Sequence, residues 1–127
     1  MENKALVWNG VNLTEHVYVD SYEFLHSAVD GYIEHIPTEL EKFNIDVWCN
    51  EEGKLRGLEP TLLLTHNGVV YDTVVGNVVF TRFNDEGETL PLTKDDIKRI
   101  ATVFNKADYY IVGTELGTFK SIPAISY

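Results

Sequence analysis

Four Asn/Gly turn signals cut this chain into short strand-like runs, and they limit its fold more than any other feature. Asn9-Gly10, residues 50–53, Asn67-Gly68 and residues 84–87 each hold both residue types. Asn and Gly enter the left-handed backbone region at little cost, as tight hairpin turns require. Between these signals lie runs with strand-like apolar patterning, at residues 4–8, 32–36, 45–49, 69–72 and 74–83. Strands joined by such short loops pair antiparallel, because a parallel pair needs a crossover of about a dozen residues.

Each turn carries its own expectation. Asn9-Gly10 predicts a type I′ hairpin, with residues 17–19 continuing the extended pattern. Residues 50–53 predict a hairpin loop of three to four residues with Gly53 at the left-handed position. A basic strand would leave that loop, with Lys54 and Arg56 on one side and Leu55 on the other. Pro60 interrupts this extension. Leu62, Leu63 and Leu64 fit either a short helix or a buried strand, since periodicity does not separate the two over so few residues. Gly76, inside an apolar run, marks a bulge or a close backbone approach. Residues 109–112 read as a last strand, and the stretch to Tyr127 carries no clear pattern.

Two helices interrupt the strands. Asp20 and Glu23 form a capping box that opens a helix over 21–29, with Phe24, Leu25, Ala28 and Val29 as its apolar face and Gly31 as its stop. Thr93 with Asp96 opens the second, over 94–104, whose stripe is Ile97, Ile100, Ala101 and Phe104. Thr38 and Glu41 cap a helical turn between two strands. The fold class is therefore α+β: a single domain over residues 1–127, a mostly antiparallel sheet with two principal helices. A chain of this length buries roughly two thirds of its surface and needs no staple.

Charge removes some functions. Twenty acidic residues against ten basic ones leave a net charge of −10, which opposes phosphate contacts and hence direct nucleic-acid binding. The acids fall in small groups (Glu39/Glu41, Glu51/Glu52, Asp85/Glu86/Glu88, Asp95/Asp96) rather than in the long rows that imitate a duplex. One cysteine, Cys49, excludes an internal disulfide. No apolar run approaches a membrane span, so the expected compartment is a reducing cytoplasm.

Catalytic patterns are missing. There is no Gly-rich phosphate loop and no dinucleotide fingerprint. His16, His26, His35 and His66 are widely spread and form no short ligand pair. Cys49 sits on the inward face of its strand, unlike a nucleophile, which needs a polar and partly exposed setting. The expectation is no enzyme, no cofactor and no metal.

Residues 31–34 (Gly-Tyr-Ile-Glu), residues 50–58 (Asn-Glu-Glu-Gly-Lys-Leu-Arg-Gly-Leu), Pro60 and Gly76 leading into Val78-Val79 form one pattern. Over roughly residues 17–104 the chain resembles the family known as domain of unknown function 3846. The resemblance implies relatives in bacteriophages, plasmids and bacteria. Two positions depart from it: Glu59-Pro60-Thr61 stands where relatives read Pro-Pro-Asn, and Asp30-Gly31-Tyr32 where they read Gly-Gly-Tyr.

Within the pattern, Lys54 and Arg56 point to one side of a strand and would hold a phosphate or carboxylate, Arg56 by its bidentate fork. Glu51 lies beside them in the turn, and Tyr32 or Trp48 would supply an aromatic wall. Arg82, next to Phe80 on its own strand face, is a second candidate for such a pocket. The resulting expectation is a small non-enzymatic phage or mobile-element protein that binds a host component and counters a defence system. A module sequestering a nucleotide-type signal, and an acidic mimic of DNA, are the alternatives. Self-association stays open.

Overall fold

A computed structural model describes residues 3–19, 21–104, 108–112 and 115–123. The larger sheet runs in the order β2-β1-β7-β4-β3: β2 (Leu13–Val17), β1 (Lys4–Trp8), β7 (Val78–Phe83), β4 (Ile45–Asn50) and β3 (Ile33–Ile36). Each neighbouring pair is antiparallel, and the short β8 (Thr89–Leu90) adds to β7. A second sheet places β5 (Pro60–His66) between β6 (Val69–Val75) and β11 (Ser121–Pro123). β5 pairs antiparallel with β6 and parallel with β11. β9 (Asp108–Val112) and β10 (Glu115–Phe119) form a two-stranded ribbon. With the helices α1 (Ser21–Val29) and α2 (Lys94–Phe104) the fold is α+β, and both principal helices run as the sequence predicts.

The larger sheet is covered on both faces, and alternation assigns each side chain its layer. On one face Val7 and Val79 meet Leu25 and Val29 of α1, with Phe24, Ala28 and Trp48 packed around them. On the other, Leu6, Trp8, Ile45, Val47, Val78 and Phe80 meet Leu62, Leu64, Val74 and Ile122 of the second sheet and Ile100 and Phe104 of α2. Trp8 joins the two sheets directly, since its indole N–H donates to the Thr61 carbonyl at 2.6 Å. Its ring also lies 4.7 Å from that of Phe104. Leu62, Leu63 and Leu64, open between helix and strand in the sequence, are the buried centre of β5.

Local chemistry agrees with the sequence at some ends and corrects it at others. Thr93 and Asp96 form the reciprocal cap of α2, each backbone N–H donating to the other's side chain at 2.9 and 3.1 Å. Thr38 caps a short 3-10 helix, Glu39–Phe43, by accepting from the Leu40 N–H. The Asp20 half of the predicted cap of α1 lies outside the described residues. At the far end of α1 the left-handed residue is Asp30 (φ 58), one place before the predicted Gly31. The Asp30 N–H reaches Ser27 and the Gly31 N–H reaches His26, a Schellman closure.

The hairpin signals fare unevenly. Asn67 and Gly68 both take positive φ (52 and 79), as a type I′ turn requires. In the first hairpin only Gly10 of the pair does so, and the loop spans 9–12 before β2, which ends at Val17 rather than continuing through 19. Asn9 works through its side chain instead, its Oδ1 accepting from the N–H groups of Val11 and Asn12. Gly76 (φ 75) is no bulge inside one strand. It ends β6, and with Asn77 it carries the chain from the second sheet to the first. A Cβ there would sit 2.8 Å from Leu58 Cδ1, so the close-approach reading of this glycine holds.

Candidate functional site

The segment 50–58 is not a hairpin, and β4 does not pair with the strand that follows it. Residues 51–57 wind as a turn closed by two hydrogen bonds, Leu58 N–H to Gly53 O at 3.0 Å and Gly57 N–H to Lys54 O at 3.2 Å. This is again a Schellman closure, with Gly57 (φ 68) as its left-handed residue. Gly53, expected at that position, serves another purpose. It is buried, and a Cβ would meet Val75 Cγ2 at 2.8 Å. Lys54 and Arg56 therefore leave a helical turn in different directions, and Leu55 is almost fully exposed.

Asn50 holds the turn against α1. Its Nδ2 donates to the carbonyls of Val29 and Asp30 at 2.9 and 3.1 Å, while its Oδ1 accepts from the Glu52 N–H at 2.8 Å. Gly31 is required here because a Cβ would lie 2.7 Å from Asn50 Nδ2. Arg56 completes the clasp, donating to the Asp30 carbonyl at 2.6 Å and to its carboxylate at 3.1 Å. Tyr32 is exposed beside it and stacks on the His26 ring at 6.2 Å. Arg56 and Tyr32 thus belong to the end of α1.

Lys54 and Glu51 lie elsewhere, on the rim of a cleft of about 240 Å³ between β3 and β4 on one side and β6 on the other. Glu34, Tyr71 and Asp72 share that rim, and the buried Cys49, Leu64 and Val74 line its apolar part. Lys54 Nζ bonds Asp72 Oδ1 at 2.6 Å. Burial alone would raise the Asp72 carboxyl, but the Lys54 hydrogen bond, the Thr73 N–H and the Lys54 charge outweigh it and hold the group below the usual range. Glu34, Glu51 and Asp72 thus line the cleft together with Lys54, which is paired with Asp72. Arg82 is remote from it: the guanidinium donates to Asp96 at 2.8 and 3.1 Å and to the Phe43 carbonyl, fixing the start of α2 to β7.

Linear reading missed Glu34, Tyr71 and Asp72. The available signal was the alternation of β3, which sends Glu34 to the Ile36 side, away from α1. Trp48, the other proposed aromatic wall, packs toward α1 and donates to Thr81 Oγ1 at 2.8 Å.

Cys49 sits at the bottom of this arrangement. Burial pushes its thiol up to about 11, and Glu34 adds repulsion that Lys54 only partly offsets. At pH 8 the thiolate fraction is then roughly a thousandth, against about a quarter for an ordinary thiol. Native protein should react with iodoacetamide at least a hundredfold more slowly than urea-unfolded protein, as followed by intact mass. Equal rates would refute the buried, neutral thiol.

In comparison with known families, the model described as domain of unknown function (DUF3846) matches residues 5–105. It extends the resemblance of residues 17–104 back into β1. No curated protein and no solved structure matches the chain. Among the described residues no helix is long and apolar enough to cross a membrane.

Proposed function

This chain belongs to the DUF3846 family, and we propose that it acts by binding, taking a basic side chain of a protein partner into the cleft between its sheets. The observation that carries this reading is the rim of Glu34, Glu51 and Asp72 around a single Lys54 above an apolar floor. A net charge of −10 would steer a basic partner toward it. The cleft's 240 Å³ is below the roughly 300–1,000 Å³ typical of small-molecule sites. That volume suits one long side chain better than a nucleotide, whose phosphates these carboxylates would also repel. In this reading the protein is not an enzyme. The occurrence in phages and plasmids that the resemblance implies would place the partner in a bacterial host cytoplasm, with interference with a defence system as the purpose.

The test is capture from bacterial extract at 50 mM salt by the wild type and by a Glu34→Lys, Glu51→Lys double variant. A specific partner should be retained by the wild type and lost at least tenfold by the variant, and its capture should weaken with salt. Capture that ignores both charge and salt removes the cleft as the site. A nucleotide that raises the melting temperature instead would favour the small-molecule reading, since a hundredfold excess over the Kd contributes about 2.7 kcal/mol. Unchanged plaquing of phage on defended strains expressing the protein would remove the counter-defence role.

A further inference from the structure

On the other face of β3 and β4, the side facing α1, three side chains converge that no linear motif joins. His35 stands on β3, Asp46 on β4, and Glu41 on the 3-10 helix connecting them. In the antiparallel register His35 lies opposite Trp48, so Asp46 is its diagonal neighbour on the same face. The Thr38 cap and the left-handed Asn44 (φ 63) close the short helix at its two ends, which brings Glu41 over the same spot. His35 Nε2 is 3.0 Å from Asp46 Oδ1 and 3.2 Å from Glu41 Oε1, and all three atoms lie within 4.8 Å of one another.

We propose that His35, Glu41 and Asp46 bind a divalent first-row transition-metal ion of the Zn²⁺ or Mn²⁺ type. Adjacent ligands on an ion with bonds of about 2.1 Å are separated by about 3.0 Å in an octahedron and about 3.4 Å in a tetrahedron. The two contacts at His35 fall on that scale. The charges also fit. Two carboxylates less than 5 Å apart share a single imidazole nitrogen, and among the described residues neither has an ion pair with Lys or Arg. Lys42, the nearest cation in sequence, is held by Glu39, and Arg82 by Asp96.

The donor set narrows the ion. One imidazole nitrogen with two carboxylates favours Zn²⁺, Mn²⁺ and their neighbours over Ca²⁺ or Mg²⁺, which take oxygen ligands alone. Three protein ligands leave positions for water or for a group of a partner, unlike a closed structural zinc site. The sequence spacing, His-x5-Glu-x4-Asp, resembles no common ligand motif because the ligands come from a strand, a turn and a second strand.

A protonated His35 bridging two carboxylates would give the same distances, so the test must see the ion itself. Isothermal titration of the full chain with Zn²⁺ and separately with Mn²⁺ at pH 7.5 should give one site. His35→Gln and Asp46→Asn should each weaken it at least tenfold, while His16→Gln and His66→Gln leave it unchanged. The wild type supplies a check that does not depend on variants folding. Substoichiometric Mn²⁺ should broaden the amide signals of residues 35, 41 and 46 first, and quench Trp48, whose ring is 5.4 Å from that of His35. Absence of binding to either ion, affinity unaltered in both ligand variants, or broadening centred elsewhere would each overturn the site.

Discussion

Replacing Phe80 by alanine should destabilise the protein by about 3–5 kcal/mol, the usual range for an aromatic ring removed from a closed core. Phe80 is fully buried on β7, the strand between β1 and β4. It pairs in register with Leu6 on one side and Val47 on the other. Its ring meets Phe104 of α2 edge-on at 5.6 Å, and it belongs to the cluster shared by the larger sheet, the second sheet and α2. Its removal therefore leaves a void with walls on three elements that cannot collapse together. Against a total of about 5–15 kcal/mol for a domain, this is roughly a fifth of the stability or more. Urea unfolding should show a large fall in midpoint with an unchanged slope. A loss below about 1 kcal/mol would mean that β7 is not the centre of the core.

The second large effect belongs to Asn50. Alanine there should cost about 2–3 kcal/mol, because a buried amide that serves three backbone groups disappears. The Val29 carbonyl and the Glu52 N–H lose their Asn50 bonds, whereas the Asp30 carbonyl keeps Arg56. Arg56→Ala makes the informative contrast. Its bonds to Asp30 lie at the surface, so its loss should stay within about 1 kcal/mol. If the two substitutions cost the same in urea unfolding, the buried clasp is not what joins the turn to α1.

Much of the fold was readable from local chemistry. Thr93 and Asp96 announce α2 because a reciprocal cap depends only on four consecutive residues, and Phe24, Leu25, Ala28 and Val29 announce the face of α1 through their spacing. The division into two sheets was not readable. Alternation in residues 74–83 tells which side of a strand is covered, but not that Gly76 passes the chain from one sheet to the other. The three residues of β11 are too few for any period and take their conformation from β5.

The turn at 50–58 was misread for a specific reason. Two glycines compete for one left-handed position, and the choice of Gly57 over Gly53 rests on the packing of Gly53 against Val75, far along the chain. The site followed the same rule. Glu51 was legible as a polar member of a turn and Lys54 as a cation beside it, though placed on a strand with Arg56, but Glu34 and Asp72 join them only because β6 is laid against β3 and β4. Arg56, Tyr32 and Arg82 looked like ligand-binding groups because arginine and tyrosine make the same contacts with a protein's own carbonyls, carboxylates and rings as with a foreign molecule.

The position of β5 has a consequence for how the molecule assembles. One of its neighbours, β6, follows at once through a two-residue turn and can form within microseconds. The other, β11, begins at residue 121 and pairs with Leu63, while in the larger sheet Leu6 must find Phe80. Closure of both sheets waits on encounters between distant segments, so the rate of folding is governed by chain search, on the millisecond-to-second scale of non-local topologies. During synthesis the hairpin of β5 and β6 would emerge with one backbone edge unpaired until residues 121–123 are free to dock. For that interval a strand whose Leu62, Leu63 and Leu64 are buried in the finished fold presents an open backbone edge on which another chain can pair.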